Sequence, residues 1–301
     1  KANYGEYRNF GNLYISHRGI KTDTKITDYR RWLDIRNAVA GMTYSIDGVR
    51  YDREYIASSP DGMIAVMLRA SGKEKINVDL LLKDGNTDYN GTASGTKIDK
   101  GNMTFKGKLT YLSYYCRVAV TPYGKKAKMS INDSALTITK ADSLLVLLSG
   151  GTNYSTETAN YRTNESVLHQ RIDDIINKAL AKNYTTLKTR QQKSHRMLFD
   201  RCQLSITPDD CNTKPTPQLV ADYNKTDSSY LDNHFLEELY FNYGRYLLIS
   251  CAQGIALPSN LQGIWNYSNS AVWHCDIHAN INVQMNYWPA EVTNLSELHN
   301  N

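Results

Sequence analysis

The stretch TYSIDGVRYDREYIASSPDGMIAVMLRA, residues 43–70, decides the fold of the N-terminal half. Asp47 and Gly48 separate two strand-like runs, residues 43–46 and 49–55. Asp-Gly between such runs is a strong hairpin signal, because both turn positions need a positive φ. The stretch therefore predicts antiparallel strands that follow one another directly along the chain.

The same pattern of strands and turns continues to about residue 162. Turns rich in Gly, Asp and Asn separate the strand-like runs, and no helical periodicity intervenes. The further runs lie at residues 63–70, 75–82, 104–120, 135–139 and 143–148. Many short strands joined in this way indicate an antiparallel sandwich. We assign residues 1–162 to a β-sandwich domain and expect its start to be missing.

Helical spacing replaces this pattern from residue 163. Apolar residues recur at helical intervals over residues 164–190, and Thr163 or Asn164 can cap the helix. A second helical stretch, residues 189–199, leads into a predicted short strand at 203–207. We predict that residues 163–207 form a helical linker.

The last third of the chain predicts the beginning of a helical domain. A polar segment at 209–225 precedes an amphipathic helix at 231–252, and one more helix is predicted from about residue 283 to 299. Two helices do not form a stable domain by themselves. We therefore expect residues 208–301 to be the N-terminal part of a larger helical domain.

Composition and charge exclude several classes of protein. The net charge of +5 is mild, and the basic residues form no stripe, so we expect no nucleic-acid partner. No run of about 18 apolar residues predicts a membrane span. The five cysteines contain no C-x-x-C pair, which argues against zinc and thioredoxin-type sites. We expect neither a metal nor an organic cofactor, and the sequence leaves the oligomeric state open.

The segment HCDIHANINVQMNY, residues 274–287, carries the candidate chemistry. Its even positions are all polar, so in an extended segment His278, Asn280 and Asn282 would share one face, with about 6.6 Å between alternate Cα atoms. The alternative is the solvated face of a half-buried strand, but such faces usually carry Lys or Glu. Amides and imidazoles instead hold hydroxyl groups or a water in fixed geometry. Two carboxamides can hold a water without strongly shifting the pKa of a carboxylate that deprotonates it.

A loop rich in Trp, Asn and Gln, residues 257–266, precedes this segment and is followed by Trp273. Tryptophan faces bind the C–H face of a sugar ring. The alternative is that Trp265, Trp273 and Trp288 are core residues. A sugar site is therefore one of two interpretations of this loop.

Three stretches resemble glycoside hydrolase family 95. They are YGRYLLISCAQGIALPSNLQGIWNYSNSAVWHCDIHANINVQMNYWPAEVTNLSELH at 243–299, SHRMLFDRCQLSI at 194–206, and TDYRRWLDIRNAVAGMTYSIDGVRYDREYIASSPDGMIAVML at 27–68. The family holds α-L-fucosidases, mostly α-1,2-specific, and some α-L-galactosidases. The resemblance implies a multidomain β + α fold: an N-terminal antiparallel β-supersandwich, a helical linker, an (α/α)6 barrel, of which this chain holds the beginning, and a C-terminal β-domain.

The resemblance also implies the chemistry of the site. Hydrolysis proceeds with inversion: a Glu is the general acid, and an Asp assisted by two Asn activates water. Those Asn correspond to Asn280 and Asn282, and the histidine that contacts fucose corresponds to His278. The acid and base lie beyond Asn301 by this resemblance. We further nominate Trp273 and Asp276 as substrate-binding residues, the latter in a positioning role.

The carboxylates within residues 243–301 do not form the pair that inversion needs, two carboxyl groups roughly 6.5–9.5 Å apart. They are Asp276, Glu291 and Glu297, and only Asp276 lies on the polar face. We favour a surface role for Glu291.

Two alternatives to an exo-acting α-L-fucosidase remain open. The first is an α-L-galactosidase on the same fold, since L-galactose differs from L-fucose only by a hydroxyl on C6. The second is a non-catalytic carbohydrate-binding protein, if the natural chain were this short. In each case the partner is a glycan, which favours an exported protein, whether periplasmic, cell-surface or extracellular.

Overall fold

A computed structural model of the chain describes residues 7–21, 23–86, 95–132, 134–208, 214–223, 225, 229–254 and 257–300. The strands are β1 Gly11–His17, β2 Ile26–Asp34, β3 Val39–Ile46, β4 Val49–Ser58, β5 Met63–Ala70, β6 Ile76–Asp84, β7 Lys97–Asp99, β8 Asn102–Lys108, β9 Ser113–Tyr123, β10 Lys128–Asn132, β11 Ala135–Ala141 and β12 Ser143–Thr152. The helices are α1 Glu165–Leu180, α2 Tyr184–Phe199, α3 Thr216–Asp222, α4 Tyr230–Ala252 and α5 Asn282–Val292, with 3-10 turns at Val272–Cys275 and Ser296–His299.

The strands form two antiparallel sheets. One has four strands in the order β1-β6-β11-β10, and the other has eight in the order β2-β3-β4-β5-β12-β9-β8-β7. The predicted hairpin is confirmed: Ile46 pairs with Val49, and the intervening Asp47 and Gly48 have φ of 50° and 73°. The predicted fold class, an antiparallel sandwich followed by a helical part, is likewise confirmed.

The main core lies between the two sheets. Its buried side chains include residues from β6 and β11 of the four-stranded sheet and from β8, β9 and β12 of the eight-stranded sheet. The fully buried members include Ile76, Val78, Leu80, Met103, Val118, Leu136, Ile138 and Leu144. Burying each such side chain stabilises the fold by about 1.5–3 kcal/mol.

The first two helices pack on the outer face of the eight-stranded sheet. Ile176 of α1 and Leu187 of α2 meet Ala65, Leu145 and Leu147 there. The centre of β12 is therefore buried on both faces. This explains why the sequence reads as a continuous apolar run there instead of alternating.

Ion pairs also attach α2 to the sandwich. The Asp61 side chain is nearly buried and accepts from Arg190 at 3.1 Å and from Lys182 at 3.4 Å. Glu54 likewise accepts from Lys188 at 2.6 Å. These contacts hold the helical linker against the sheet.

The helices begin and end at residues that differ from the prediction. A single helix over 164–190 is wrong, because α1 ends at Leu180 and Asn183 caps α2 by accepting from the Thr186 N–H at 2.8 Å. The last predicted helix is also interrupted, since α5 ends at Val292 and Asn294 has φ of 60°.

The predicted strand at residues 203–207 is absent, and this segment is irregular. The Glu238 carboxylate accepts from the N–H groups of Ile206 and Thr207 at 2.9 and 3.3 Å. Because a side chain satisfies these backbone donors, the segment needs no strand partner.

Arg245 of α4 attaches the helical part to the end of α2. Its side chain is fully buried and donates to the carbonyls of Leu198 and Phe199 at 3.1 and 2.6 Å, and to that of Cys202. The carbonyls of Leu198 and Phe199 lie in the last turn of α2, where helical partners run out, and that of Cys202 follows just beyond the helix. The guanidinium thus caps α2 from the neighbouring helix.

No helix in the described ranges is long and apolar enough to cross a membrane. Within the same ranges, no group of three or more His, Cys, Asp or Glu could hold a metal ion.

Candidate functional site

A short loop, residues 259–261, connects the segment that contains the candidate site residues to α5, and we call it the hub loop. The Ser259 N–H donates to the Tyr287 hydroxyl at 3.0 Å, and the Asn260 carbonyl accepts from the Asn286 side chain at 3.0 Å. Both partners belong to α5. The Leu261 N–H donates to the Asp276 carbonyl at 3.1 Å. The hub loop therefore joins α5 to the segment that contains Asp276.

The β-sandwich contacts the same region from the other side. The Asn269 carboxamide accepts from the Asn9 N–H at 2.7 Å and donates to the Gly85 carbonyl at 2.6 Å. The Tyr7 N–H donates to the His274 carbonyl at 3.0 Å. The loop in front of the candidate site is thus attached to the N-terminal domain.

This loop has an unusual backbone. Trp273, His274 and Cys275 have φ of 55°, 58° and 48°, so three consecutive residues other than glycine are left-handed. Each such residue costs about 1–2 kcal/mol. Strain of this kind persists where surrounding contacts fix the conformation, and it is frequent at functional sites.

The strained turn places the Trp273 indole in solvent, where it is 71% exposed. Trp265 and Trp288 are also exposed, at 49% and 63%. The alternative that these three tryptophans are core residues is therefore wrong for this chain. The exposed indoles are available for contact with a ligand or with further protein.

The predicted extended face over residues 278–282 is not observed. Ile281 has φ of 57° and ψ of −37°, and the Asn282 N–H donates to the Asn280 carbonyl at 2.7 Å. This is the hydrogen bond of a γ-turn with positive φ, which is rare and strained. The helix α5 starts at Asn282, so His278, Asn280 and Asn282 do not share the face of a strand.

The turn nevertheless keeps the two asparagines adjacent. Asn280 and Asn282 are both exposed, and neither carboxamide has a hydrogen-bond partner among the described residues. Grooves on this chain run along α1 and α2, at residues 166–178 and 189–200, and include neither asparagine. In the described part of the chain, no wall closes over the two carboxamides.

Asp276 and His278 form a tight pair. The His278 Nδ1 atom lies 2.5 Å from an Asp276 carboxylate oxygen, and the Trp273 ring stands edge-on to the imidazole with the centroids 6.2 Å apart. The structure thus brings together three of the predicted residues, and it does so through irregular backbone instead of a strand.

The other two carboxylates of this region have partners elsewhere. Glu291 pairs with His299 at 2.8 Å, and Glu297 pairs with Arg201. The pKa of Glu297 lies below its usual value because a backbone N–H and the Arg201 guanidinium stabilise the charged form. A depressed pKa is unsuited to a general acid near neutral pH.

Sequence patterns did not indicate Asn269, Ser259 or Tyr287 as site residues, although their contacts hold the loop and attach it to α5. Asn269 lies 260 positions from its partner Asn9. No local pattern reports such a contact. Only the mixture of Asn and Trp in this loop indicated that its side chains bind something other than water.

Comparison with known proteins finds two matches to glycoside hydrolase domains along the chain. Residues 1–157 match the N-terminal domain of glycosyl hydrolase family 65, and residues 183–301 match the catalytic domain of glycosyl hydrolase family 95. A family-65-type β-domain followed by a family-95 helical domain defines the class of protein. The family-65 N-terminal domain accounts for more than half of this chain, which belongs to that domain family.

The curated relatives that the chain matches are much longer than the chain itself. It is 29% identical to "Probable alpha-fucosidase A" of Aspergillus oryzae, over 98% of the chain and 41% of that protein. It is 26% identical to "Alpha-L-fucosidase 2" of Arabidopsis thaliana, over 97% of the chain and 37% of that protein. The chain thus spans about two fifths of the length of these relatives.

A solved structure shares the fold. A putative kojibiose phosphorylase from the human microbiome covers 86% of this chain, and the chain covers 34% of it, with a TM-score of 0.58 at 13% identity. The likeness supports the sandwich followed by helices.

Proposed function

We propose that the protein containing this chain is an exo-acting glycosidase that releases terminal α-linked L-fucose from glycans with inversion. Asn280 and Asn282 hold the attacking water in this proposal. The observation that carries it is the strained γ-turn at Ile281, which joins the backbones of Asn280 and Asn282 by a hydrogen bond and leaves both side chains exposed within the stretch that matches the family-95 catalytic domain. Relatives named as fucosidases support the choice of sugar.

The chemistry of the two carboxamides suits this role. Each amide offers an oxygen that accepts and an NH2 group that donates, so a pair can fix both the position and the orientation of a water. Neither group carries a charge. A carboxylate that removes the proton from this water therefore keeps a pKa suited to a general base.

Trp273 and His278 form the sugar-facing part of the proposed site. An exposed indole stacks on the apolar face of a pyranose, and L-fucose has such a face along with its methyl group. The imidazole of His278 lies at the edge of the indole, where it can bind a hydroxyl of the same ring.

The acid and base carboxylates come, in this proposal, from the part of the relatives' length that this chain does not span. Glu291 and Glu297 are paired with His299 and Arg201, and Asp276 is paired with His278. A catalytic domain that continues around Asn280 and Asn282 would also supply the missing walls of the site.

The domain arrangement follows the same scheme. We propose a sandwich domain over residues 1–162, a helical linker over 163–207, and the first part of an (α/α)6 barrel over 208–301. The change from strands to helices between Thr152 and Glu165 supports the first boundary. A glycan substrate also favours export to the periplasm, the cell surface or the medium.

Hydrolysis of an aryl α-L-fucoside by the full-length protein tests this proposal. Asn280→Ala and Asn282→Ala should each lower kcat/KM by about 10² or more, the scale of a lost catalytic positioning group. Asn12→Ala, at an exposed position of β1, is the matched control and should leave the rate unchanged. Wild-type rates in both site variants would refute the assignment.

Two further measurements define the reaction. NMR of the first-formed sugar anomer distinguishes inversion from retention. Parallel assays with the aryl α-L-galactoside decide between the two sugars, because only L-galactose carries a hydroxyl on C6. Faster hydrolysis of the galactoside would replace the proposed substrate and keep the mechanism.

A further inference from the structure

Asp276 and His278 form a carboxylate–histidine pair whose geometry fixes the imidazole. The Nδ1 atom of His278 lies 2.5 Å from the Asp276 carboxylate, while its Nε2 atom has no hydrogen-bond partner among the described residues. A carboxylate only accepts, so Nδ1 must carry the proton in this contact. The neutral ring then presents Nε2 as an acceptor.

We propose that Asp276 is a positioning residue, which holds His278 in the tautomer and orientation that accept a sugar hydroxyl at Nε2, and is not itself a sugar ligand. This inference rests on the proposed function of the site. It makes the positioning role expected for Asp276 from the sequence specific, because the group that the carboxylate positions is His278 and not the sugar.

Burial separates the roles of the two side chains. The Asp276 side chain is 14% exposed, whereas that of His278 is 38% exposed. The carboxylate is therefore much less accessible to an approaching sugar than the imidazole is.

The backbone on both sides of the pair is fixed. The Asp276 carbonyl accepts from the Leu261 N–H at 3.1 Å, and the His278 carbonyl accepts from the Val283 N–H at 3.0 Å. One contact attaches the aspartate to the hub loop and the other attaches the histidine to α5. The fold thus sets the backbone positions from which the carboxylate and the imidazole meet.

The Trp273 indole also restricts rotation of the His278 imidazole. Its ring is inclined at 80° to that of His278. Because the left-handed backbone of residues 273–275 holds the indole, rotation of the imidazole away from Asp276 would break an edge contact as well as the hydrogen bond. The same strained turn thereby serves both the stacking surface and the histidine.

A double-mutant cycle in the full-length protein distinguishes positioning from direct binding. Asp276→Asn should lower kcat/KM for the aryl α-L-fucoside by about 10–100-fold, the scale of a lost outer partner of a functional histidine. His278→Ala should lower it at least as much. Because Asp276 acts through His278, the double variant should lose no more than His278→Ala alone.

The matched control is the pair of His234 and Glu237 on α4, with Nδ1 and carboxylate oxygen 2.8 Å apart. Glu237→Gln removes the same kind of contact at an exposed position and should leave kcat/KM unchanged. If the losses from Asp276→Asn and His278→Ala instead multiply in the double variant, Asp276 contacts the sugar directly and the proposal is wrong.

A spectroscopic measurement tests the tautomer without substrate. In full-length protein labelled with 13C at histidine Cδ2, the His278 signal is identified by its absence in His278→Ala. It should report the Nδ1–H form in the wild type and shift towards the Nε2–H form in Asp276→Asn. An Nε2–H signal in the wild type would overturn the proposal even if fucoside hydrolysis is confirmed.

The fucoside assay tests the proposed function and the NMR measurement tests the role of Asp276, so one proposal can be refuted while the other stands. A wild-type protein that hydrolyses no α-L-fucoside would refute the proposed function, and the NMR result would still decide how Asp276 holds His278. Where Asp276→Asn lowers the yield of folded protein, the cycle is run with Asp276→Glu, which keeps a carboxylate. That variant should retain more activity than any Asp276→Asn protein recovered, and the opposite order would contradict the proposal.

Discussion

The attachment of the site loop to the sandwich gives a prediction whose size follows from the structure. Asn269→Ala removes two hydrogen bonds, one from the Asn9 N–H at 2.7 Å and one to the Gly85 carbonyl at 2.6 Å. Each neutral hydrogen bond contributes about 0.5–1.5 kcal/mol to stability. Both of these bonds are exposed to solvent, so their contributions lie towards the lower end of that range. We take the sum as about 1–2 kcal/mol, which raises the detached fraction of the loop about 5–30-fold.

Hydrogen exchange measured by mass spectrometry on the full-length protein checks this number. Peptides that cover residues 7–10 and 266–276 should exchange faster in Asn269→Ala by the same factor, because their amides open when the loop detaches. Peptides from the hairpin of β3 and β4 should keep their protection. Since the loop carries Trp273, kcat/KM should also fall, by at most about the same factor.

Two more variants, one at residue 269 and one at residue 270, test whether faster exchange comes from loss of the Asn269 hydrogen bonds. Ser270→Ala changes an exposed neighbouring side chain and should exchange like the wild type. Asn269→Asp keeps an acceptor for Asn9 but places a carboxylate against the Gly85 carbonyl, so it should detach the loop at least as much as Asn269→Ala. Unchanged exchange at residues 7–10 in both Asn269 variants would refute the view that this bridge holds the loop.

Two further predictions concern stability. Arg245→Met should lower the free energy of unfolding by about 2–5 kcal/mol, measured by urea denaturation, because two carbonyls at the end of α2 and one just beyond it lose a buried partner. Stability equal to that of the wild type would show that α2 needs no such cap. Burial, and then the nearby Arg53, lower the pKa of His17 to about 4, below its unfolded value of roughly 6.5, so the unfolded chain takes up the proton first. Stability should therefore fall as the pH drops from about 6.5 to 4, and His17→Phe should remove this dependence; an identical pH profile for the two proteins would contradict the assignment.

The parts of the fold that could be predicted are those fixed by neighbouring residues. The turn at Asp47 and Gly48 needs positive φ at both positions, and these residue types supply it with little strain. The apolar run at 144–148 predicted a strand, and its lack of alternation is explained by helices on one face and the second sheet on the other. In both cases the information lies within a few positions of sequence.

The parts that could not be predicted depend on distant partners. Residues 203–207 alternate like a strand, but Glu238 satisfies their backbone donors. The alternation at 274–287 likewise indicated an extended face, and the backbone instead turns at Ile281. Alternating polar and apolar residues indicate which side chains are exposed to water, but they do not specify the backbone. A strained turn can therefore produce the same exposure pattern as a strand.

The strain in the site segment also explains why two domains converge on it. Trp273, His274, Cys275 and Ile281 all have positive φ without being glycine, and together they store several times the roughly 1–2 kcal/mol that one such residue costs. Contacts from outside the segment stabilise this conformation together with the Asp276–His278 pair within it. The hub loop and α5 contact the segment on one side, and the N-terminal strand region contacts it on the other through Asn269. In the proposed site the β-sandwich is therefore part of the structure that orients the sugar-facing residues, although none of its own side chains is assigned to the chemistry.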